Sequence, residues 1–221
     1  MKLIRIISIC TLSLFSFVSL SSAKASLVAL SVTAGQTAPD PADAGFVNGT
    51  DGWSFTPGVD ITVYRLGHFD DGQDGLEQDS PVGIYQVSNK TLITSVDVEK
   101  DGQLIGEFRY TDIPPVVLNS DVEYVVATFQ EETYDPLLNN PTGVAFGPSI
   151  TFGKYREKAG SELEFPTKTP ASDDGSIKWV GPNFTYSIPE PSAFLYLIGI
   201  SLMVTGYRRI GRKLRQTFES E

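Results

Sequence analysis

The chain reads Ile61-Thr62-Val63-Tyr64-Arg65-Leu66-Gly67-His68-Phe69, and this stretch decides the fold class. Its β-branched and aromatic side chains favour a strand, because they pack well on a pleated surface. Runs of the same kind lie on both sides of it. Outside 61–69, strands are predicted over residues 27–33, 52–55, 82–87, 92–98, 106–110, 123–129, 144–146, 150–152, 177–180 and 184–187.

Short polar turns separate these runs. They fall at residues 56–58, 88–90, 100–102, 119–121 and 173–175. No stretch between them keeps a 3.6-residue apolar period over three turns, so no amphipathic helix is predicted. Short strands at this spacing predict an all-β body over residues 26–187, an antiparallel β-sandwich of jelly-roll type.

Three segments depart from the strand pattern. Pro114-Pro115 cannot donate ladder hydrogen bonds and predicts a sheet edge or a crossover between sheets. Residues 139–143 (Asn-Asn-Pro-Thr-Gly) predict a loop. Residues 153–176 are polar and predict a long surface excursion rather than a second domain.

Charge and cysteine content narrow the function classes. The chain of 221 residues has a net charge of −10, and residues 26–188 hold 24 acidic and 9 basic side chains, a net of −15. Such a body is a poor partner for nucleic acid or anionic lipid. The only cysteine is Cys10 and the only histidine is His68. We therefore expect no disulfide framework, no thiol chemistry and no zinc site in the body.

The N-terminal region has the layout of a secretory signal peptide over residues 1–25. Lys2 and Arg5 precede an apolar run over residues 6–20, and small residues follow. Ala23 and Ala25 form an A-x-A cleavage pattern, so we expect cleavage after Ala25, with Ala23 as the alternative. This predicts export through the Sec machinery. An uncleaved N-terminal anchor is the other interpretation.

The C-terminal region, residues 188–221, joins a chain breaker, an apolar run and a basic cluster. Pro189 and Pro191 flank Glu190 and predict an extended segment. Residues 192–207 carry no charge and predict a single transmembrane helix, whose cytoplasmic end is the basic segment 208–221. The basic cluster is Arg208, Arg209, Arg212, Lys213 and Arg215. An ordinary single-pass anchor is one interpretation of this pattern.

The same three elements in this order resemble the PEP-CTERM sorting signal of Gram-negative bacteria. The resemblance covers roughly residues 188–213, with Pro189, Glu190 and Pro191 as the motif tripeptide. It implies that an exosortase-type membrane protease recognises and removes the tail. It also implies that the body then moves to the cell surface or the extracellular matrix.

A second resemblance covers residues 52–128. The runs Gly52-Trp53-Ser54-Phe55-Thr56, Leu66-Gly67-His68-Phe69-Asp70, Val82-Gly83-Ile84-Tyr85 and Gly106-Glu107-Phe108-Arg109-Tyr110 resemble an uncharacterised β-sandwich domain of bacterial surface proteins. That family has no established activity. The resemblance implies a fold and not a mechanism.

The densest acidic stretch is a candidate calcium loop. Its candidate ligands are Asp70, Asp71, Asp74, Glu77 and Asp79. Carboxylates on a glycine-rich turn can surround a hard cation with oxygen ligands. The third and twelfth positions counted from Asp70 are Gly72 and Pro81, which excludes an EF-hand loop. The alternative is an exposed acidic hairpin loop in which glycines supply positive φ.

Glycan binding and glycan hydrolysis are two further hypotheses. The aromatic residues spread over the strands are Trp53, Tyr64, Tyr85, Phe108, Tyr110, Tyr134, Trp179 and Tyr186, and core packing explains most of them equally well. Tyr134 beside Asp135, in a loop, is the least core-like and the candidate glycan contact. A hydrolase would need two facing acids, for which Glu107, Glu123 and Glu164 are candidates.

The sequence thus predicts an exported, non-enzymatic surface or extracellular-matrix protein sorted through its tail. Its partners would be the Sec machinery, an exosortase-type protease and exopolysaccharide in the matrix or biofilm, and no cofactor is expected. The alternative is a carbohydrate-binding module, assisted by Ca²⁺ in the acidic loop. A secreted glycan hydrolase is the third reading.

Overall fold

The computed structural model describes residues 26–37, 48–131, 135–169, 177 and 179–189. The predicted signal peptide and the predicted transmembrane segment lie outside these ranges. In chain order the strands are β1 (Leu27–Val28), β2 (Leu30–Ser31), β3 (Ala34–Thr37), β4 (Asn48–Pro57), β5 (Ile61–Phe69), β6 (Ser80–Gln86), β7 (Thr91–Val98), β8 (Gln103–Ile105), β9 (Phe108–Leu118), β10 (Tyr124–Glu131), β11 (Leu138–Thr142), β12 (Ala145–Phe146), β13 (Ile150–Ala159), β14 (Trp179–Val180) and β15 (Pro182–Ser187). A single 3₁₀ turn, Asp71–Gln73, is the helical element of the described part. The all-β prediction is confirmed.

Most strands of the described part belong to two five-stranded antiparallel sheets. The first sheet has the order β1-β15-β5-β9-β8, and the second has the order β13-β4-β10-β6-β7. Smaller sheets join β14-β11-β3 and β12-β2. The strand pairs of these sheets are antiparallel, and the sequence-adjacent pairs β6–β7 and β8–β9 are joined by short turns, which only antiparallel neighbours allow.

Three strand pairs are nested along the chain. The innermost pair is the β6–β7 hairpin, the next is β5–β9, and the outermost is β4–β10. The innermost and outermost pairs lie in the second sheet, whereas the middle pair lies in the first. The chain therefore passes from one sheet to the other at each level of nesting.

Side chains from both sheets form one apolar core. Trp53 and Phe55 of β4 meet Phe184 of β15, with ring centroids 6.0 Å and 4.8 Å from it. All three rings are fully buried. The Trp53 indole N–H also donates to the Pro182 carbonyl at 2.9 Å, which ties the second sheet to the first. Most strand aromatics thus serve the core.

A smaller apolar cluster covers the outer face of the second sheet. Tyr85, Val125 and Ala127 pack there against Leu163 and Phe165 of the segment that follows β13. The predicted surface excursion over residues 153–176 is therefore wrong in its first half, because β13 continues to residue 159 and the following segment packs on the sheet. Residues 170–176 lie outside the described ranges.

The predicted loop at residues 139–143 is also wrong. Residues 138–142 form β11, which pairs with β14 and β3. The register shifts between Asn139 and Thr142, so the strand passes Pro141 through an irregularity instead of a regular ladder. Composition alone misses such a strand, since Asn and Pro are depleted in regular sheets.

The two ends of the described body lie side by side. In the β1–β15 pair, Leu27 is opposite Tyr186, and the Ala29 N–H donates to the Phe184 carbonyl at 2.9 Å. The Asn183 side chain is buried and holds both backbone groups of Leu30, at 3.2 Å and 2.7 Å. The last strand is thus an interior strand of the first sheet, between β1 and β5.

Candidate functional site

A groove opens on the outer face of the first sheet where the pairing of β5 is irregular. Thr185 and Tyr186 are consecutive in β15, yet they pair with Arg65 and Val63. Tyr64 is therefore an extra residue in β5, and it lies half-buried next to half-buried Arg65. A bulge of this kind re-aims side chains, which places two neighbouring residues at the same surface.

The facing strand β9 bulges at the same level. Its pairing with β5 jumps from Asp112 to Val116, across Ile113 and the pair Pro114-Pro115. In the described part of the chain β8 pairs with β9 only as far as Tyr110, so the prolines lie at the sheet edge. The sequence prediction of an edge at these prolines agrees with this placement, and the missing ladder bonds open the groove.

The groove has a volume of about 430 Å³ and is lined by Ser26, Tyr64, Arg65, Asp112, Ile113 and Ser187. We call it the Tyr64 groove. The Arg65 Nε donates to the Asp112 carboxylate at 2.5 Å, and their side chains are 29% and 80% exposed. The hydroxyls of Tyr64 and Ser187 are 3.2 Å apart and hydrogen-bonded. An aromatic ring, an ion pair and hydroxyl groups therefore meet at one surface.

The acidic loop after β5 is held by a buried ion pair. The Asp70 carboxylate is fully buried and accepts from the Arg109 Nε at 2.6 Å. It also accepts from the Gly75 N–H at 3.3 Å. Gly72 and Gly75 have φ of 84° and 110°, which confirms the predicted positive φ at the loop glycines.

A second buried carboxylate holds this loop by accepting hydrogen bonds from its backbone. Asp135 is 3% exposed and accepts from the backbone N–H of Glu77 at 2.7 Å and of Asp71 at 3.3 Å. Burial raises the pKa of Asp135 to about 6, against the lowering effect of these two hydrogen bonds. Asp135 is one of the two predicted glycan contacts, and in the structure its carboxylate accepts hydrogen bonds from backbone. The other predicted contact, Tyr134, lies outside the described ranges, so the glycan contact stays a prediction.

One further acid of the loop accepts a hydrogen bond from a backbone N–H group. The Asp79 carboxylate accepts from the Lys100 N–H at 2.9 Å. The pKa of Asp71 is raised by burial and by the nearby carboxylates of Asp70 and Asp74. Among the described residues, no three His, Cys, Asp or Glu side chains are grouped as a metal site. The calcium hypothesis stays a prediction.

His68 lies at the same end of β5 in a fully buried position. Its Nδ1 lies 2.8 Å from the Phe69 carbonyl, and its Nε2 lies 3.0 Å from the Gln130 amide nitrogen. The amide nitrogen can only donate, so the bond network assigns the proton to Nδ1. Burial lowers the pKa of His68 to about 4, although the Phe69 carbonyl and Asp70 oppose this. The ring is therefore neutral at physiological pH.

Another buried carboxylate joins β4 to β13. The Tyr155 hydroxyl donates to Asp51, and both side chains are buried. Burial raises the pKa of Asp51 to about 6 and the pKa of Tyr155 well above its ordinary value. Asp51 is two residues from Trp53 on β4 and Tyr155 is the ladder partner of Trp53, so the pair satisfies two polar groups on the inner face of the second sheet.

The candidate hydrolytic acids have separate partners. Glu107 accepts from the Gln73 amide at 2.7 Å, Glu123 is 3.4 Å from Arg156, and Glu164 pairs with Lys158. Arg156 and Lys158 both lie on β13, whereas Gln73 lies in the acidic loop. No two of these three acids share a hydrogen-bonded or ion-paired partner in the described part of the chain.

The predicted processing residues lie mostly outside the described ranges. Pro189 is the last described residue and is exposed. The remaining ones, which the structure does not describe, are Ala23, Ala25, Glu190, Pro191, Arg208, Arg209, Arg212, Lys213 and Arg215. Within the described part of the chain, no apolar helix reaches membrane-spanning length.

Comparison of the chain with family models, with curated proteins and with solved structures found no match.

The Tyr64 groove was missed by sequence reasoning. The one signal that pointed to it was the proline pair inside a strand-like run, since such a pair interrupts a ladder.

Proposed function

We propose that this chain is an exported surface or extracellular-matrix protein with a non-enzymatic, structural or adhesive body. The signal-like N-terminal segment and the tail with Pro189, Glu190 and Pro191 are the basis of the proposal. In this account the Sec machinery exports the chain, the segment 192–207 holds it in the inner membrane, and an exosortase-type protease releases it.

One structural observation supports the proposal above others. The β1–β15 pair brings Leu27 opposite Tyr186, so the residues after the predicted signal cleavage lie beside those before the tripeptide. Both expected cuts flank one edge region of the first sheet, outside its paired strands. Two cuts at these positions would leave every strand of the body intact, which suits a domain that is trimmed after export.

We infer that the body is a jelly-roll-like β-sandwich. The nested pairs β4–β10, β5–β9 and β6–β7, which alternate between two sheets around one core, support this reading. A sandwich with short polar loops and a net charge of −15 over residues 26–188 suits a soluble component of a matrix.

A structural or adhesive role agrees with how the chain uses its acids. The buried carboxylates Asp70 and Asp135 hold backbone and a guanidinium group, which gives them a structural task. The partner in the matrix would be exopolysaccharide, in keeping with the acidic surface, which repels nucleic acid and anionic lipid.

The sorting proposal is tested by substituting the tripeptide in a bacterium that has the sorting protease. The variant replaces Pro189, Glu190 and Pro191 with alanine and leaves the body unchanged. We expect the wild-type protein in the surface and medium fractions and the variant in the inner membrane. Immunoblots of the separated fractions give the readout.

The matched control is Glu99→Ala, since Glu99 is an exposed acid of the body. This variant should be released like the wild-type protein. Release of the tripeptide variant at the wild-type level would contradict the proposal, and so would full retention of the wild-type protein in the inner membrane.

A further inference from the structure

We propose that the Tyr64 groove binds a short segment of a neutral saccharide. The inference rests on the proposed function, because it specifies the saccharide partner given there, and it does not depend on whether the tail is cut. It rests on the residues that the two bulges bring together, on their exposure and on their charge.

The polar groups of the groove suit sugar hydroxyls. A hydroxyl donates one hydrogen bond and accepts others, so it needs donors and acceptors close together. Arg65 offers guanidinium N–H groups, and Asp112 offers carboxylate oxygens of a side chain that is 80% exposed. Their contact at 2.5 Å fixes the two groups relative to each other, which lowers the entropy lost on binding.

The apolar groups suit the C–H faces of a sugar ring. The Tyr64 side chain is half-buried, and its hydroxyl is anchored to Ser187. Ile113 adds an aliphatic wall to the groove. A site with an aromatic ring, an aliphatic wall and a few fixed polar groups is the usual composition of a small-molecule pocket.

The same face of the sheet extends the groove with a further apolar residue. Val117 pairs with Thr62 in the β5–β9 ladder and is 61% exposed. Thr62 also pairs with Ser187, which lines the groove. Ser187, Thr62 and Val117 therefore form one row across three strands, next to the groove. Ser187 is buried, so Thr62 and Val117 provide the surface along which a second sugar unit would continue.

The charge of the groove favours a neutral ligand. Arg65 is already paired with Asp112, so the side chains that line the groove present no unpaired cation to a phosphate or a uronic acid. The body as a whole is strongly acidic and repels polyanions. The volume of about 430 Å³ is near the lower end of small-molecule pockets, roughly 300–1,000 Å³, which indicates a short segment of glycan.

Binding is measured on the full chain, purified in a zwitterionic detergent so that no glycosidic detergent competes. Neutral hexasaccharides of glucose, mannose, galactose and xylose are titrated, and oligogalacturonate and inorganic phosphate serve as anionic probes. We expect at least one neutral hexasaccharide to bind and the anionic probes to bind more weakly. Asp112→Asn should weaken that binding about tenfold, which corresponds to about 1.4 kcal/mol.

The control is Asp97→Asn, because Asp97 is an exposed acid on β7 in the second sheet. It should bind like the wild-type protein. Tyr64→Ala should abolish binding, and Tyr64→Phe should retain most of it, which separates ring contact from loss of fold. The proposal is overturned if no neutral hexasaccharide binds, if Asp112→Asn binds as tightly as the wild type, or if an anionic probe binds best.

Discussion

His68 is the only histidine of the chain and is fully buried, which makes its ionisation a direct probe of the core. Its pKa is lowered to about 4, mainly by burial. We expect the imidazole NMR resonances to stay constant from pH 8 to pH 5 and to titrate near pH 4. A midpoint near 6.5 would mean that the ring is solvated and that its place at the end of β5 is wrong.

The lowered pKa of His68 also makes the free energy of unfolding depend on pH. Between pH 6.5 and 4 the unfolded chain binds a proton at His68 that the folded chain does not, so the free energy of unfolding falls as the pH falls. For full burial the loss is on the order of 3 kcal/mol. Asp51 and Asp135 act in the opposite direction, because their folded pKa values are raised to about 6. Comparison with His68→Gln isolates the histidine contribution.

Arg109 and Asp70 form the ion pair on which the acidic loop depends. Their side chains are 16% and 0% exposed, and Arg109 also donates to the carbonyls of Gly102 and Gln73. We expect Arg109→Gln to lower the free energy of unfolding by about 3–5 kcal/mol, because the Asp70 charge would stay buried without its partner. Urea unfolding followed by tryptophan fluorescence measures this loss.

A surface ion pair provides the comparison for Arg109→Gln. Lys158 pairs with Glu164, and both side chains are about a third or more exposed. Lys158→Ala should cost less than about 1 kcal/mol, since solvent screens an exposed pair. An equal loss of unfolding free energy in the two variants would contradict this account, because it would mean that water reaches Asp70 and that a buried ion pair does not stabilise the loop.

At the scale of the strands, the close pairing of β4 with β10 requires a glycine at position 52. A Cβ on Gly52 would lie 2.3 Å from the Val126 carbonyl oxygen and 2.8 Å from the Ala127 Cα, both backbone atoms of β10. Gly52→Ala should therefore force the two strands apart and destabilise the body by about 1–3 kcal/mol. Thermal unfolding followed by circular dichroism measures the change.

Gly58, in the turn after β4, is the matched control. A Cβ there would meet no atom closer than 3.8 Å, at Ser149. Gly58→Ala should leave stability unchanged or raise it by up to about 1 kcal/mol, because alanine restricts the unfolded chain. A tolerated Gly52→Ala would place β4 and β10 further apart than the pairing requires.

Strands rich in β-branched and aromatic residues could be predicted from the sequence. The prediction failed for strands that contain proline, asparagine or glycine and pair irregularly. The run over residues 61–69 became β5 with unchanged bounds, since its β-branched and aromatic residues have no competing signal. β11 was missed because Pro141 and two asparagines outweigh its pairing. The predicted strand 150–152 ended before Gly153, whereas β13 continues through this residue to Ala159. Gly153 lies against the Ser54 hydroxyl, where no side chain fits.

The candidate site was less predictable than the fold. A bulge depends on the register between strands that are far apart in sequence, and Tyr64 with Asp112 needs that register to come together. The burial of Asp70 was hidden for a similar reason, because its partner Arg109 is 39 residues away. Charge patterns in a single chain do not encode such pairings.

At the scale of the whole molecule, the first strand and the last strand close the same sheet. β15 lies between β1 and β5, so the first sheet is completed only when the last strand of the body is in place. In the export that we propose, the first sheet would be completed only after residue 187 has crossed the membrane. The predicted tail would then hold the finished body close to the membrane until it is cut.

The most direct test of this account is the intact mass of the protein recovered from its native cell envelope and medium. The account predicts a species that begins at Ser26 and ends at or near Pro189, with every described strand retained. A species that still extends to Glu221 would contradict release of the body and leave an ordinary membrane anchor.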